Sequence, residues 1–312
     1  MALTDYLLYR CAKNWPSPVA WRESQYGAQQ GTDAYGMAYA WAQFNAHVTK
    51  GIAVPPRDLE VLEIGCGHGG ICCFLAAAGA KRVVGIDLNT KNMEYAERLA
   101  AEISRRYGPD ATLPVEFLEM NAFQMNFPTD TFDLVVAENA FEHFTEPETV
   151  LRESFRVLRP GGRLLAPLFG SRFNKYALHL KHSLRVPWPQ LFFSERTIIR
   201  AMQRLAVDDP SLHVSYPGLK SDPQRVRDLR KYKDLNDLTY KKFKRIAGEV
   251  GFELEWLRPS ATRIGKLIAR MPFVRNTWLM DVFSMGASAL LRKPKRAATS
   301  AEPTPDSLAV SR

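Results

Sequence analysis

The residues best suited to chemistry cluster in "VLEIGCGHGG", positions 61 to 70, where Gly65, Gly67 and Gly69 alternate with Cys66 and His68 behind a hydrophobic run. Glycines at that spacing allow a tight turn and let backbone N–H groups approach a ligand that a Cβ would hold away. The pattern is Gly-x-Gly-x-Gly, whereas the dinucleotide fingerprint is Gly-x-Gly-x-x-Gly. Gly70 supplies a glycine at the later position too, so spacing alone leaves a nicotinamide or flavin site open. A Walker phosphate loop is excluded, because no Gly-Lys-Ser/Thr follows. Glu63, just ahead of the loop, can accept a hydrogen bond or pair with a cationic amino acid, but it sits poorly beside a pyrophosphate. Asp87 ends a second hydrophobic run, where its carboxylate can accept both hydroxyls of an adenosine ribose; both nucleotide readings want that acid.

These residues need a scaffold, and the flanking pattern describes one. Residues 59–64, "LEVLEI", read as a buried strand running into the loop, and "GGICCFLAAAG" as a helix ended by Gly79. Further strands are expected at 82–87, 115–120, 132–139 and 163–169, separated by helical patterns, the last of which stops at a Pro-Gly-Gly turn. Such alternation, with few polar breaks in the strands, implies a mostly parallel α/β sheet covered on both faces. The rhythm then stops over residues 171–235, which carry helical pieces and several prolines. It resumes with a helix capped by Thr239 or Asn236 and ended by Gly251, then "ELEWLRP" and "SMGASALLRK". Residues 171–235 therefore read as an insertion, placed where such insertions wall a ligand site.

Two further stretches complete a pattern. "EMNAFQMNFPTDTFDLVVAEN" puts Asn121 and Ala122 after the third strand, and "ENAFEHF" with "RESFRVLRPGGRL" follows the fourth. With these elements in order, residues 58 to 170 resemble the class I S-adenosylmethionine-dependent methyltransferase family. The resemblance implies a Rossmann-like, mostly parallel seven-stranded sheet flanked by helices, with a largely helical insertion after the fifth strand. Residues 58–292 would form the methyltransferase domain, 1–57 an N-terminal helical lid, 171–235 the substrate-pocket insertion and 293–312 a disordered tail. It also implies S-adenosyl-L-methionine as cofactor. Glu63 and the loop from Gly65 through Cys66 and Gly67 to Gly69 would hold its methionine part. Asp87 would take the ribose, Leu88 would pack on the adenine, and Asn121 and Ala122 would bond the ring. Asn121 stands where many members have aspartate, keeping an acceptor with less charge. Glu138 and Asn139 would open onto the methionine end and the acceptor.

Methyl transfer from a sulfonium is an in-line displacement, so positioning and exclusion of water supply most of the acceleration. A base is needed only when the acceptor holds its proton tightly. His143 is the first candidate, because an imidazole titrates nearest neutrality; its structural alternative is to cap the next helix. The stretch "FGSRFNKYALHLKHSLRVPWPQLFF" resembles, more weakly, the region after the fifth strand in a bacterial subset of these enzymes. There His179 is a second candidate base or orienter and His182 a helper, while Trp188, Phe192 and Phe193 either line an acceptor pocket or fill the insertion's core. No third ligand of suitable type accompanies the histidines, so no metal is expected. Tyr26, Tyr35 and Tyr39 in the lid are contacts or packing residues alike.

Composition sets the outer limits. In 312 residues, 46% are hydrophobic, enough for one large core. Lys and Arg outnumber Asp and Glu by 42 to 33, for a net charge of +9. That balance is compatible with nucleic acid, an anionic membrane face or an acidic substrate. The basic run from Arg225 to Arg245 reads first as a solvated helix face; nothing resembles an RNA-binding module. Four cysteines without a Cys-x-x-Cys pair point to buried thiols in a reducing, cytoplasmic setting. The expected acceptor is a small molecule, a secondary metabolite, lipid or quinone-like compound, while its identity, the methylated atom and the oligomeric state are not readable from the sequence.

Overall fold

A computed structural model describes residues 3–14, 56–108, 110–175, 184, 186–208, 227, 236–261, 263–268, 270–271 and 277–295. Seven strands form one sheet: β1 Glu60–Ile64, β2 Arg82–Asp87, β3 Val115–Glu119, β4 Phe132–Val136, β5 Leu158–Phe169, β6 Glu253–Ala261 and β7 Ser284–Arg292. Their order is β3-β2-β1-β4-β5-β7-β6. The first five run parallel, and β7 alone is inserted antiparallel between β5 and β6. The chain builds outward from β1 to β3, then returns to lay β4 on the other side of β1. That reversal opens a crevice at the carboxyl ends of β1 and β4, the place where open α/β sheets bind ligands.

Successive side chains leave a strand on opposite faces, so one hydrophobic run serves two cores. Val61, Val83, Leu134 and Val136 pack with Cys72, Leu75 and Leu99 under helices α2 Gly70–Ala77 and α3 Thr90–Tyr107. Leu62, Ile64, Val84 and Val135 pack on the other face with Val150, Leu151, Phe243 and Ile246 from α4 Pro147–Val157 and α7 Tyr240–Val250. The nearly unbroken apolar strands recognised in the sequence are thus buried on both sides. The remaining helices are α1 Leu3–Asn14, α5 Pro189–Phe192, α6 Glu195–Asp208, α8 Arg263–Ile268 and α9 Leu279–Val282.

Three local departures have physical causes. The Pro-Gly-Gly turn expected to precede the fifth strand lies inside it: β5 begins at Leu158, pairs with Phe132, bulges, and pairs again from Arg163 to Leu134. Gly161, at φ 84°, makes the bulge, and Lys293 closes it through backbone bonds to Gly161 and Gly162. Lys293 is accordingly not the start of a tail. Its Nζ donates to Asp130 Oδ1 at 2.7 Å and to the Leu158 carbonyl at 2.6 Å. The fourth strand stops at Val136, short of the expected Asn139, because Asn139 adopts a left-handed backbone at φ 55°.

The described part of the insertion and the N-terminal helix form a unit of their own. Leu8, Tyr9 and Ala12 of α1 pack against Ile198, Ile199, Ala201, Met202 and Leu205 of α6. Around that small core, Arg200 pairs with the buried Asp5 at 3.1 Å and Lys13 with Asp208 at 3.0 Å. Residues 15–55, the greater part of the expected lid, lie outside the described residues, as does the tail from 296 onward.

Candidate cofactor and acceptor site

The glycine loop takes its shape from alternate left-handed residues. Gly65, Gly67 and Gly69 have φ of 71°, 51° and 73°, a region that costs any residue with a Cβ about 1–2 kcal/mol. Loop and strand are tied together by Gly65 N–H and Cys66 N–H, which both donate to the Ile86 carbonyl at 2.8 and 3.0 Å. The three glycines have different reasons to lack a side chain. A Cβ on Gly69 would fall 2.6 Å from the Ala96 Cβ and 2.8 Å from the Phe117 ring, whereas a Cβ on Gly67 would meet nothing within 4 Å among the described residues. Gly69 is a packing glycine, and Gly67 faces open space in the crevice.

Asp87 stands at the end of β2 against that loop. Its Oδ2 accepts the Gly67 N–H at 2.9 Å and its Oδ1 accepts the Asn89 N–H at 2.8 Å. The adjoining Leu88 is 68% exposed, an apolar side chain left uncovered on the crevice rim. Ala122 is buried, and Asn121 is exposed with its Oδ1 accepting the Phe123 N–H at 2.9 Å. The acceptor that Asn121 was expected to offer an adenine amino group therefore already serves a local turn.

Acid chemistry dominates the floor. Glu63 is 3% exposed, and its Oε2 accepts from the Cys72 thiol at 2.8 Å. Burial, reinforced by the charge of Glu138, pushes its carboxyl up to about 8 against the bond from Cys72. Glu63 pairs in register with Val136, so Glu138, two positions further, points to the same side of the sheet. Glu138 Oε1 is sealed from solvent without a hydrogen-bond partner among the described residues. Burial and the neighbouring Glu142 push it up to about 8 as well. An uncompensated buried carboxyl costs several kcal/mol if ionised. A ligand bringing positive charge would relieve that cost.

Cys66 and His68 are packed within the chain. Cys66 is buried, and its neighbours Cys72 and Cys73 are held as neutral thiols, Cys73 pushed up to about 12 by burial and by Glu63. His68 stacks on Tyr95 at 4.7 Å between ring centroids, and burial lowers its basicity despite Asp87. No group of three or more potential metal ligands occurs among the described residues.

His143 closes a single 3-10 turn, Phe141–His143, directly beyond β4 and half-buried beside the crevice. The helix after it, α4, has Glu146 as its N-cap, so His143 does not hold the capping position. The turn is clamped by a residue the sequence reading put elsewhere. Asn236 donates its backbone N–H to the Glu142 carbonyl at 2.8 Å and its side-chain amide to the Phe141 and Phe144 carbonyls at 2.6 and 2.7 Å. Asn236 had been one of two candidate helix caps. Thr239 fills that role, accepting from Lys242 N–H at 3.1 Å.

A buried polar knot fixes the start of the insertion nearby. The Asn174 amide reaches Tyr240 Oη at 2.9 Å, the Asp281 carbonyl at 2.7 Å and Ser284 Oγ at 2.7 Å, and Asp281 accepts from Ser171 Oγ and from Tyr240 N–H. Nothing in the sequence joins these five residues, which come from four separate elements.

Trp188 and Phe193 read as packing residues. Trp188 Nε1 donates to the Val282 carbonyl at 2.7 Å and its ring meets Phe283, while Phe193 joins the α1–α6 core. Phe192 is exposed. His179, His182, Tyr26, Tyr35 and Tyr39 lie outside the described residues. In the described part of the basic run, Lys241 and Arg245 are exposed on α7 while Tyr240, Phe243, Ile246 and Ala247 are buried, the arrangement of a solvated face.

Comparison with known proteins bears on this site. Residues 62–166 match the family described as a methyltransferase domain, from within β1 to within β5. Over those residues the chain is similar to methyltransferases. Its similarity to 27-O-demethylrifamycin SV methyltransferase of Amycolatopsis mediterranei is 28% identity, covering 55% of this chain and 57% of that protein. Demethylmenaquinone methyltransferase of Thermus thermophilus is 35% identical over 36% of this chain and 49% of its own. The match thus covers less than two thirds of either relative. In fold, a solved structure from Listeria monocytogenes, described as an S-adenosylmethionine-dependent methyltransferase, superposes with a TM-score of 0.51 at 14% identity. It covers 82% of this chain and all of that one.

The described residues fit S-adenosylmethionine, the family's cofactor. The open Gly67 position admits a ligand against the backbone, Asp87 supplies a carboxylate beside it, and Leu88 offers an apolar surface. Glu63 and Glu138 supply buried acid for a cationic group. A dinucleotide pyrophosphate would meet those same acids, which opposes a nicotinamide reading.

Proposed function

We propose that this protein transfers the methyl group of S-adenosylmethionine to an oxygen, nitrogen or carbon of a small organic or lipid-like acceptor. The observation that carries the reading is the glycine cradle at Gly67, tied to Asp87, with the buried Glu63 on β1 and the half-buried Glu138 just beyond β4. The cofactor supplies an electrophilic methyl on a sulfonium. The chain's own residues would hold it: the Gly65–Gly69 loop and Glu63 at the methionine part, Asp87 at the ribose, Leu88 and Ala122 at the adenine. Asn121 would add a contact at the adenine edge through its amide, since its oxygen already accepts within the chain. Glu138 and Asn139 would face the reacting end.

His143 would take the acceptor's proton where the acceptor needs a base. Its turn is held at three carbonyls by Asn236, so the imidazole would be presented on a fixed support. His179 remains the second candidate for that role. The acceptor wall would come from the insertion and from the residues before β1. The named relatives act on a rifamycin precursor and on demethylmenaquinone, as their names state. Both are small organic molecules, which supports that class of acceptor here. A cytoplasmic setting fits the three free, buried thiols. No helix among the described residues is long and apolar enough to cross a membrane.

The test is equilibrium binding of S-adenosylmethionine followed by incubation of protein and isotopically labelled cofactor with a metabolite extract, a lipid extract and total RNA. A labelled small molecule or lipid is the expected product. Label in RNA, binding of NADH in place of S-adenosylmethionine, or cofactor binding with no labelled product in any extract would overturn the reading.

A further inference from the structure

One stretch of the chain combines exposed apolar side chains with charge of a single sign. Between Glu255 and Asp281 the sequence carries five Lys or Arg and no Asp or Glu. Among the described residues of that stretch, Ile264, Leu267 and Trp278 are each more than half exposed, and Met271 is close to half. Ile264 and Leu267 stand three apart on α8, and so share one of its faces. A further turn, closed by Arg270 N–H on the Leu267 carbonyl at 3.2 Å, leads to Met271. Lys266 and Arg270, interspersed with these residues, are exposed. Trp278 precedes α9, and its ring lies 6.3 Å from that of Phe173, over which Arg172 sits at 5.1 Å.

Topology sets this surface at the crevice end of the sheet. β5 runs parallel to β4, β7 returns antiparallel from Ser284, and β6 ends at Ala261 paired with that serine. α8 and α9 therefore flank the carboxyl end of β5, the same end at which Glu138 and the glycine loop stand. Charge is segregated along β6. Glu253 and Glu255 lie at its other end and bond Arg292 and Arg163. Near the patch, Asp281 is buried in the polar knot and Asp237 pairs with Arg172 at 3.3 Å. Lys241 follows Tyr240, whose N–H bonds Asp281, and adds an exposed cation at this end.

We infer that this surface docks the protein on a bilayer containing anionic lipid, with Ile264, Leu267, Met271 and Trp278 entering the interface and Lys266 and Arg270 meeting the headgroups. Aliphatic and indole side chains beside cations are what an interfacial surface needs, the apolar groups leaving water and the cations meeting negative charge. A nucleic acid would engage the cations but leave Ile264 and Leu267 without a use. A second copy of the chain, in a two-fold contact, would set the same cations against one another. The surface stands without the cofactor reading, while its use rests on that reading. A bilayer at this end of the sheet adjoins the crevice, so a lipid-soluble acceptor reaches the methyl donor without crossing bulk water.

Cosedimentation of the full chain with vesicles tests the inference. Vesicles of phosphatidylcholine with about 30% phosphatidylglycerol should bind the protein, and phosphatidylcholine alone at least about tenfold more weakly. Lys266→Gln with Arg270→Gln should weaken binding to the anionic vesicles about 25-fold, at about fivefold for each cation. Ile264→Asp with Leu267→Asp should weaken it at least about tenfold. These side chains are exposed, so thermal unfolding should stay near that of the parent, and either pair of substitutions carries the test alone. Added salt should weaken the parent's binding more than that of the cation variant. Equal binding to both vesicle types, parental binding by a folded variant, or capture by RNA with none by vesicles overturns the inference. Calorimetry with S-adenosylmethionine on the same preparation separates the two readings. Cofactor binding without vesicle binding overturns the docking surface alone, and vesicle binding without cofactor binding overturns the proposed function alone.

Discussion

Replacing Gly67 by alanine separates a loop that binds from a loop that only folds. Gly67 has φ 51°, so alanine there costs about 1–2 kcal/mol from backbone strain. An added Cβ meets no atom within 4 Å among the described residues, so no packing cost follows from them. For a domain of this size that cost lowers Tm by roughly 2–8 °C and leaves the protein folded. The methyl group would project where the ligand backbone approaches, displacing it from the N–H groups, and affinity for S-adenosylmethionine should fall at least about tenfold, or about 1.4 kcal/mol. Gly69→Ala is the contrasting variant. Its Cβ would lie 2.6 Å from Ala96 Cβ and 2.8 Å from the Phe117 ring, and its φ is 73°. Strain plus overpacking amounts to about 2–5 kcal/mol, so this variant should lose stability before it loses a specific contact. Denaturant unfolding and cofactor calorimetry on both variants give the answer. A folded Gly67→Ala protein that binds S-adenosylmethionine as tightly as the parent would refute the placement of the cofactor against this loop.

Other expectations follow from the same geometry. His143→Ala should lower turnover by about 10²–10⁴-fold with cofactor affinity unchanged, if the acceptor needs a base; comparable activity removes that role. Asn236→Ala, which strips two side-chain bonds from the turn below His143, should cost about 1–3 kcal/mol of stability. It should also reduce kcat more than cofactor affinity, and a parental kcat would show that the clamp is dispensable. Because Glu63 and Glu138 are held up to about 8 from an unfolded value of 4.5, the native chain keeps protons that the unfolded chain releases. Their contribution is therefore neutral below about pH 4.5 and becomes a growing penalty as pH rises toward about 8. Glu138→Gln should accordingly gain Tm relative to the parent across that window, and a flat or falling difference would contradict the burial argument.

The parts of the fold legible in the sequence are those made by neighbours in the chain. The "EVLEI" strand, its glycine turn and the following helix are set within a score of residues by burial and by three left-handed glycines, and they appear where the pattern puts them. The end of β2 at Asp87 is equally local. What the sequence could not show depends on partners far apart in the chain. Asn236 looked like a helix cap because helix starts favour such a residue, yet its amide bonds carbonyls about 95 positions away. The α1 helix packs Leu8, Tyr9 and Ala12 on α6, nearly 200 residues on, a pairing no local pattern announces. Trp188 could serve a pocket or a core, because large aromatic side chains serve both, and its bond to the Val282 carbonyl is a contact the sequence does not announce. Glu138 was found by position, but its unsatisfied oxygen belongs to three dimensions.

The cysteines of the loop and α2 gain a meaning from the same acids. A sulfonium is an alkylating agent, and a thiolate is the side chain most ready to be alkylated. Thiols in the core beneath a loop that binds such a donor are therefore safe only while they stay protonated and buried. Burial opposes thiolate formation at Cys72 and Cys73. Cys72 also spends its proton on Glu63, in a bond that exists only while the thiol is neutral. A small residue is still required at these positions. Gly85 passes so close that a Cβ there would fall 2.8 Å from Cys72 Sγ and 3.0 Å from the Cys66 Cβ. Cysteine fills that tight space as a small apolar side chain, and burial keeps its sulfur inert.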